Sequence, residues 1–183
     1  MTTTSYHSRY PQLAAMAGDR PLADVHLDIS FERPTYHGFR ELKVRPGVID
    51  DAAVELYGYS QCHLLGRAMH KRSGWPIALV ELAEPPHRWV HVGVFTPAGR
   101  VLDIHGVRTV DQVVADHDQE HDLQVHVRHI HTLDDLFTLI GIGEEHWQAG
   151  SDETDTPPLA VELAGVFADV LLAQAELVGA VSV

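Results

Sequence analysis

Two apolar runs, Trp89 to Phe95 and Val101 to His105, flank the residues Thr-Pro-Ala-Gly-Arg at 96–100, and no other feature constrains the fold so tightly. Pro97, Ala98 and Gly99 suit a three-residue hairpin loop with glycine at the positive-φ position, which makes the two runs antiparallel neighbours. Such a loop sets the register: Thr96 pairs with Arg100, Gly93 with Asp103 and His91 with His105. His91, Gly93, Asp103 and His105 then share one face, while Val92, Val94, Leu102 and Ile104 turn toward the core. On that ladder Asp103 is a diagonal neighbour of His91, about 7–8 Å away between backbones and within reach of polar side chains. Gly93 leaves the space between them open.

The rest of the chain alternates helices and strands. Val25, Leu27, Ile29 and Phe31 alternate with polar residues, which predicts a half-buried strand from Ala23 to about Pro34. Residues 1–20 show no period and read as an arm or short irregular helix. Val48 to Tyr57 reads as a helix with Ile49, Ala52, Ala53 and Leu56 on one face, ended by Gly58. Ser60 to Lys71 carries Leu64, Leu65, Ala68 and Met69 at helical spacing and stops at Ser73-Gly74. Ile77 to Leu82 and Leu123 to Ile130 read as strands. Val110 to Ala115 reads as a short helix, and Leu133 to Ile140 as another, capped by Thr132 and stopped at Gly141. Gly150 to Thr156 reads as a loop. Pro157 or Pro158 then starts a final helix to about Val178, with Leu159, Leu163, Val166, Phe167, Val170, Leu171, Gln174, Leu177 and Val178 on a broad apolar face. That face suits core packing and is also wide enough to join two subunits as a homodimer.

A chain of 183 residues supports one compact domain over 1–183. Its net charge of −13, from 26 acidic against 13 basic residues, argues against a nucleic-acid partner, which requires clustered Lys and Arg. No stretch approaches the roughly 20 apolar residues of a membrane span, and no signal-peptide core follows Met1 to Tyr10, so a cytoplasmic protein is expected. The single cysteine, Cys62, forms no internal disulfide and excludes multi-cysteine zinc sites. A lone cysteine is ordinarily a small buried hydrophobe. Here it falls at the start of a predicted helix, where unpaired N–H groups and the macrodipole favour a thiolate. A nucleophilic thiol also needs a histidine to take its proton and a third group to orient the ring. The hairpin offers both, which assigns Cys62 as nucleophile, His91 as base and Asp103 as orienting group. His63, His70, His87 and His105 compete for the base, His105 most strongly because it shares the inferred face.

The stretch Tyr-Gly-Tyr-Ser-Gln-Cys-His-Leu-Leu-Gly-Arg-Ala-Met-His-Lys-Arg-Ser-Gly-Trp-Pro, followed by Trp-Val-His-Val-Gly-Val-Phe-Thr-Pro-Ala-Gly-Arg-Val-Leu-Asp-Ile-His-Gly, resembles the core of the papain-like superfamily, in particular its transglutaminase-like branch. That branch has a cysteine opening a helix, a histidine on one strand and an aspartate on the next, in this order. The resemblance covers about Tyr57 to Gly106. Gly-Arg-Val-Leu-Asp-Ile-His-Gly is also similar to the aspartate strand of bacterial papain-fold toxins and glutamine deamidases. It implies an α+β fold, with a cysteine-bearing helix packed on an antiparallel sheet, a catalytic core at 57–106 and an additional C-terminal helix at 157–179. It further implies thioester chemistry on a carboxamide of a protein or small amide, without a cofactor: peptide or isopeptide cleavage, glutamine deamidation or transamidation. The oxyanion donors would be the Cys62 N–H and the Gln61 side chain, although the helper glutamine of papain lies several residues earlier, a region that holds Leu56 here.

Alternative readings remain. Trp89 would wall the substrate cleft; Trp75, Trp89 and Trp147 also suit core or rim positions. His117 and His121 have the i, i+4 spacing of metal ligands but lack the His-Glu-x-x-His order, so a solvated loop is expected and no metal. His126, His129 and His131 read as exposed positions near a strand end. One rival is a non-catalytic binding protein on the same scaffold whose acidic surface engages a basic partner; a second is a metal-binding protein built on the histidine pairs.

Overall fold

A computed structural model describes residues 8–140 and 157–181. The fold is α+β: a five-stranded antiparallel sheet carries helices on both faces, and a separate two-stranded hairpin lies earlier in the chain. In chain order the elements are α1 (Pro11–Ala17), β1 (Leu27–Ser30), β2 (Glu41–Val44), α2 (Asp51–Tyr59), α3 (Cys62–Ser73), β3 (Ile77–Leu82), β4 (Trp89–Phe95), β5 (Val101–Asp103), β6 (Gly106–Arg108), α4 (Val110–His121), β7 (Val125–Ile130), α5 (Leu133–Ile140) and α6 (Pro157–Val181). The larger sheet has the order β6-β5-β4-β3-β7.

The expected hairpin register holds: Val94 faces Leu102, Phe95 faces Val101, and the Thr96 N–H donates to the Arg100 carbonyl at 2.7 Å. One part of it fails. Strand β5 ends at Asp103 rather than His105, because Ile104 and His105 form a tight turn into β6 and Asp103 pairs with Gly106, whose φ is 94°. His105 therefore sits in a turn and does not pair with His91, which instead faces Val80 of β3.

Side-chain alternation divides the core. Ile77, Leu79, Val92, Val94, Leu102 and Ile104 enter the larger core with α3 and α6, whereas Ala78, Val80, Phe95 and Val101 meet Val113 of α4 and Val125 in a smaller one. Helix α3 lies closest to the sheet at Gly66, where a Cβ would stand 2.5 Å from Val92 Cγ1. Gly74, with φ 69°, ends α3 in the left-handed conformation, as expected.

Other departures have local causes. Helix α2 starts at Asp51, where the Asp50 side chain accepts the Ala53 N–H at 3.1 Å. It runs through Gly58 to Tyr59 instead of ending there, and a Cβ on Gly58 would stand 3.2 Å from His105 Nε2, so the glycine serves this close approach. Helix α4 continues two turns beyond Ala115 to a left-handed cap at Asp122, so His117 and His121 are helical rather than in a loop. Within the stretch read as an arm, α1 is regular, with Leu13, Ala14 and Ala17 buried. Glu162 of α6 accepts the Gln12 and Leu13 N–H groups, a cap 150 residues away that no local pattern announces. The early strand keeps its predicted alternation but is confined to Leu27–Ser30, and its partner β2 went unread. Leu177, placed on the apolar face of the last helix, is 70% exposed, while small residues such as Ala164 and Ala168 fill the buried side. Thr132 caps α5 as expected. Gly141, Trp147 and the 150–156 loop lie outside the described residues. No described helix is long and apolar enough to cross a membrane.

Gly66→Ala tests the α3–β4 contact. Alanine favours a helix by about 1 kcal/mol over glycine, but forcing a methyl against Val92 costs about 1–3 kcal/mol. Urea denaturation should therefore show net destabilisation where propensity alone gives the opposite sign.

Candidate active site

Cys62 occupies the first position of α3, next to the buried Gln61, whose backbone N–H is taken by the Leu56 carbonyl at 2.6 Å. The first-turn amides of Cys62 and His63 have no acceptor within the helix, so the thiol lies at the end of α3 that favours negative charge. The Gln61 side chain makes no cap hydrogen bond.

A β-bulge aims the histidine. Along β3 and β4, Leu79 faces Val92 and Val80 faces His91, but Glu81 faces Trp89, so Val90 is an extra residue. The bulge reverses the alternation: Trp89 packs toward the larger core with Val92 and Val94, and Val90 toward the smaller one. His91, at the bulge, is buried opposite Val80. Its Nε2 lies 3.2 Å from Asp103 Oδ2, and the ring is close enough to Cys62 to act on the thiol's ionisation.

Asp103 is 1% exposed and receives three donors: His91 Nε2 and Arg108 Nη2 on Oδ2, and the His105 backbone N–H on Oδ1 at 2.9 Å. Arg108 also reaches Asp116 of α4 through Nη1. Cys62, His91, Asp103, Arg108 and Asp116 thus form a continuous polar line from the larger core through the sheet to α4.

The electrostatics follow from burial and neighbours. Burial pushes the Cys62 thiol up, but the charge of His91 and hydrogen bonds from His63 and His91 outweigh it and bring it down to about 6. Burial likewise works against a charged His91, but the Cys62 charge and the Asp103 hydrogen bond raise it to about 10. Burial also opposes the charge on Asp103, yet His91 and then Arg108 hold the carboxylate well below its usual range. At neutral pH this favours thiolate, imidazolium and carboxylate in sequence.

The structure thus brings Cys62, His91 and Asp103 together, as the hairpin predicted. His105 stands apart: its ring lies 6.4 Å from that of Tyr59, and burial first, aided by Arg108 and His91, holds its pKa below the ordinary value. His70 bonds the Trp75 carbonyl and His87 the Leu82 carbonyl, each engaged locally. The half-buried Trp89 stands edge-on to His63, 5.9 Å between centroids. His117 lies 6.0 Å from the His91 ring and binds the Val113 carbonyl. His129 and His131 are exposed as expected, and His126 pairs with the buried Glu81. A cavity of about 120 Å³ lies beside His91, walled by Tyr59, His105, Arg108, Asp116 and His117. Among the described residues no group of His, Cys, Asp and Glu is arranged to hold a metal ion. Sequence reasoning missed Arg108; its only signal was position, two residues after the turn at Gly106. No family model, curated protein or solved structure matches the chain.

Two measurements test this geometry. The folded thiol value lies below that of an unfolded thiol, so thiolate is retained above about pH 6 and lost as pH falls through it. The folded His91 value is raised, so the imidazolium is lost as pH rises through about 10. The iodoacetamide labelling rate of Cys62 should accordingly rise with a midpoint near pH 6, measured by mass spectrometry. Separately, Arg108→Met should cost about 3 kcal/mol in urea denaturation by leaving a buried carboxylate short of a partner. Asp116→Asn should cost under about 1 kcal/mol, since Asp116 is half exposed.

Proposed function

We propose that this chain is a cysteine-dependent hydrolase or acyl-transfer enzyme of the papain-like kind, acting on an amide through a thioester. The observation that carries this reading is the buried line Cys62–His91–Asp103, beginning at the first turn of a helix. In this scheme the Cys62 thiolate attacks the carbonyl carbon of a carboxamide. The first-turn N–H groups receive the oxyanion, and Gln61 is the candidate side-chain donor. His91 gives its Nδ1 proton to the leaving nitrogen, which departs as amine or ammonia with the C–N bond. Neutral His91 then takes a proton from water or an acceptor amine as that nucleophile attacks the thioester, and the thiolate leaves. Asp103 keeps the ring oriented throughout, and Arg108 and the His105 N–H keep Asp103 in place. A lone thiol is kept reduced in the cytoplasm, which is where this reading has the protein act.

One observation favours a second reading. Cys62 and His91 are each 3% exposed, which suits a non-catalytic binding protein on the same scaffold, with its acidic surface engaging a basic partner. Hydroxylamine separates the two, because it converts a thioester to a hydroxamate and releases the thiol. An enzyme incubated with hydroxylamine and a library of glutamine-containing peptides should yield peptide hydroxamates. Cys62→Ser should abolish them, and Asp103→Asn should slow their formation by roughly 10²–10⁴-fold. Absence of hydroxamate with correctly folded protein favours the binding reading.

A further inference from the structure

A second, larger cleft adjoins the same end of α3. It measures about 460 Å³, within the range of about 300–1,000 Å³ typical of ligand sites, and the segment from Phe31 to Tyr36 lines it together with Tyr59 and Ser60. Ser60 lies two residues before Cys62. Tyr59 also walls the small cavity beside His91, so one side chain borders both spaces.

The outer wall is preorganised. Between β1 and β2, the Thr35 N–H donates to the Phe39 carbonyl at 2.8 Å and the Phe39 N–H to Thr35 Oγ1 at 3.2 Å, closing a tight turn. His37 Nδ1 meets Oε2 of the buried Glu55 at 2.6 Å, tying that turn to α2. Tyr36 stacks on Tyr59 with centroids 5.9 Å apart and planes within 17°. Even so, Tyr36 is 63% exposed and Phe39, on the same turn, 49%. Rigid aromatic side chains held outward beside a cleft mark interfaces with polypeptides, since they offer large contact area at little cost in conformational entropy.

We infer that this cleft is the substrate site and that the substrate is a polypeptide rather than a small amide. A segment of peptide lies along the Tyr36–Tyr59 stack, with the scissile or modified amide delivered past Ser60 to Cys62. Glu32 and Arg33 at the rim carry opposite charges, which suits a backbone with mixed side chains better than a ligand of one sign. The Ser60 hydroxyl, on the side of the cleft nearer Cys62, offers a hydrogen bond to that backbone. A small amide would leave most of a cleft of about 460 Å³ unfilled.

This inference rests on the catalytic reading, and its test separates the two. Cys62 is labelled with iodoacetamide, with methyl vinyl sulfone, and with a library of capped hexapeptidyl vinyl sulfones, each followed by mass spectrometry at pH 6. The peptidyl reagents should label at least about tenfold faster than methyl vinyl sulfone, with saturation, and Tyr36→Ala should remove most of that advantage. The iodoacetamide rate of each variant is the reference against which its peptidyl rate is divided, so a change in thiol access when the Tyr36 ring leaves Tyr59 cancels from the advantage. Fast iodoacetamide labelling without a peptidyl advantage, or an advantage that survives both Tyr36→Ala and Phe39→Ala, overturns the polypeptide site and leaves the catalytic reading standing. Iodoacetamide labelling no faster than that of a free thiol overturns both.

Discussion

The carboxylate of Asp103 is almost wholly shielded from water, and that burial organises the structure around it. Removing an ion from water costs several kcal/mol even after the protein relaxes, so the charge persists only where donors replace its hydration. Three do so here, from three parts of the chain: a ring on β4, a backbone amide in the β5–β6 turn and a guanidinium on β6. Each donor exists because a local structure puts it there. Gly106 permits the turn that presents the His105 amide, and β6 brings Arg108 back beside the strand it has just left. Arg108 in turn holds Asp116, so the second layer of helix is tied to the same charge.

The other end of the line depends on a single extra residue. In a strand of regular alternation through Val90, Trp89 and His91 would share a face opposite Val92. The bulge at Val90 instead turns Trp89 toward the larger core, while His91 remains paired with Val80. The thiol reaches that junction because α3 begins at Cys62 and packs closely at Gly66. A helix displaced outward by one methyl would draw the first turn away from the ring, so a glycine four residues past Cys62 is part of how the pair is held.

The sequence made one half of this legible and hid the other. Thr96 to Arg100 announced a hairpin whose loop length sets the register, and register alone puts Asp103 diagonal to His91. Gly74 and the spacing of Leu64, Leu65 and Met69 marked the helix that carries Cys62. These signals are local, which is why they could be read. Val90 gives no such signal, because a bulge is a relation between two strands and neither strand alone encodes it. Arg108 stayed hidden behind the assumption that β5 ran on to His105. Glu162 caps α1 across most of the chain, and Gly58 lies tight against a histidine 47 positions away, so both belong to tertiary structure. The histidines of α4 were misread for another reason: a polar run looks like loop until a left-handed Asp122 shows where the helix stops.

Burial of Cys62 and His91 then acquires a physical meaning. The attraction between a thiolate and an imidazolium scales inversely with the local dielectric, and it is several-fold stronger in a protein site than in water. Open access would let solvent into the gap and weaken the interaction that keeps the thiol ionised near pH 6. A site of this kind therefore gains its thiolate by being closed, and the enzyme proposed above needs a route by which a substrate displaces the cover without wetting the pair. The charged walls, formed by Asp103, Arg108 and Asp116, are fixed to one another and are poorly suited to moving. The Tyr59 side is different: its ring contacts are with Tyr36, His37 and His105, aromatic surfaces that a substrate group can replace in kind. In the proposed enzyme, exchange of the Tyr36 ring for an aromatic group of the substrate would leave Asp103, Arg108 and Asp116 where they are, so the thiolate could be reached there while its electrostatic surroundings stay dry.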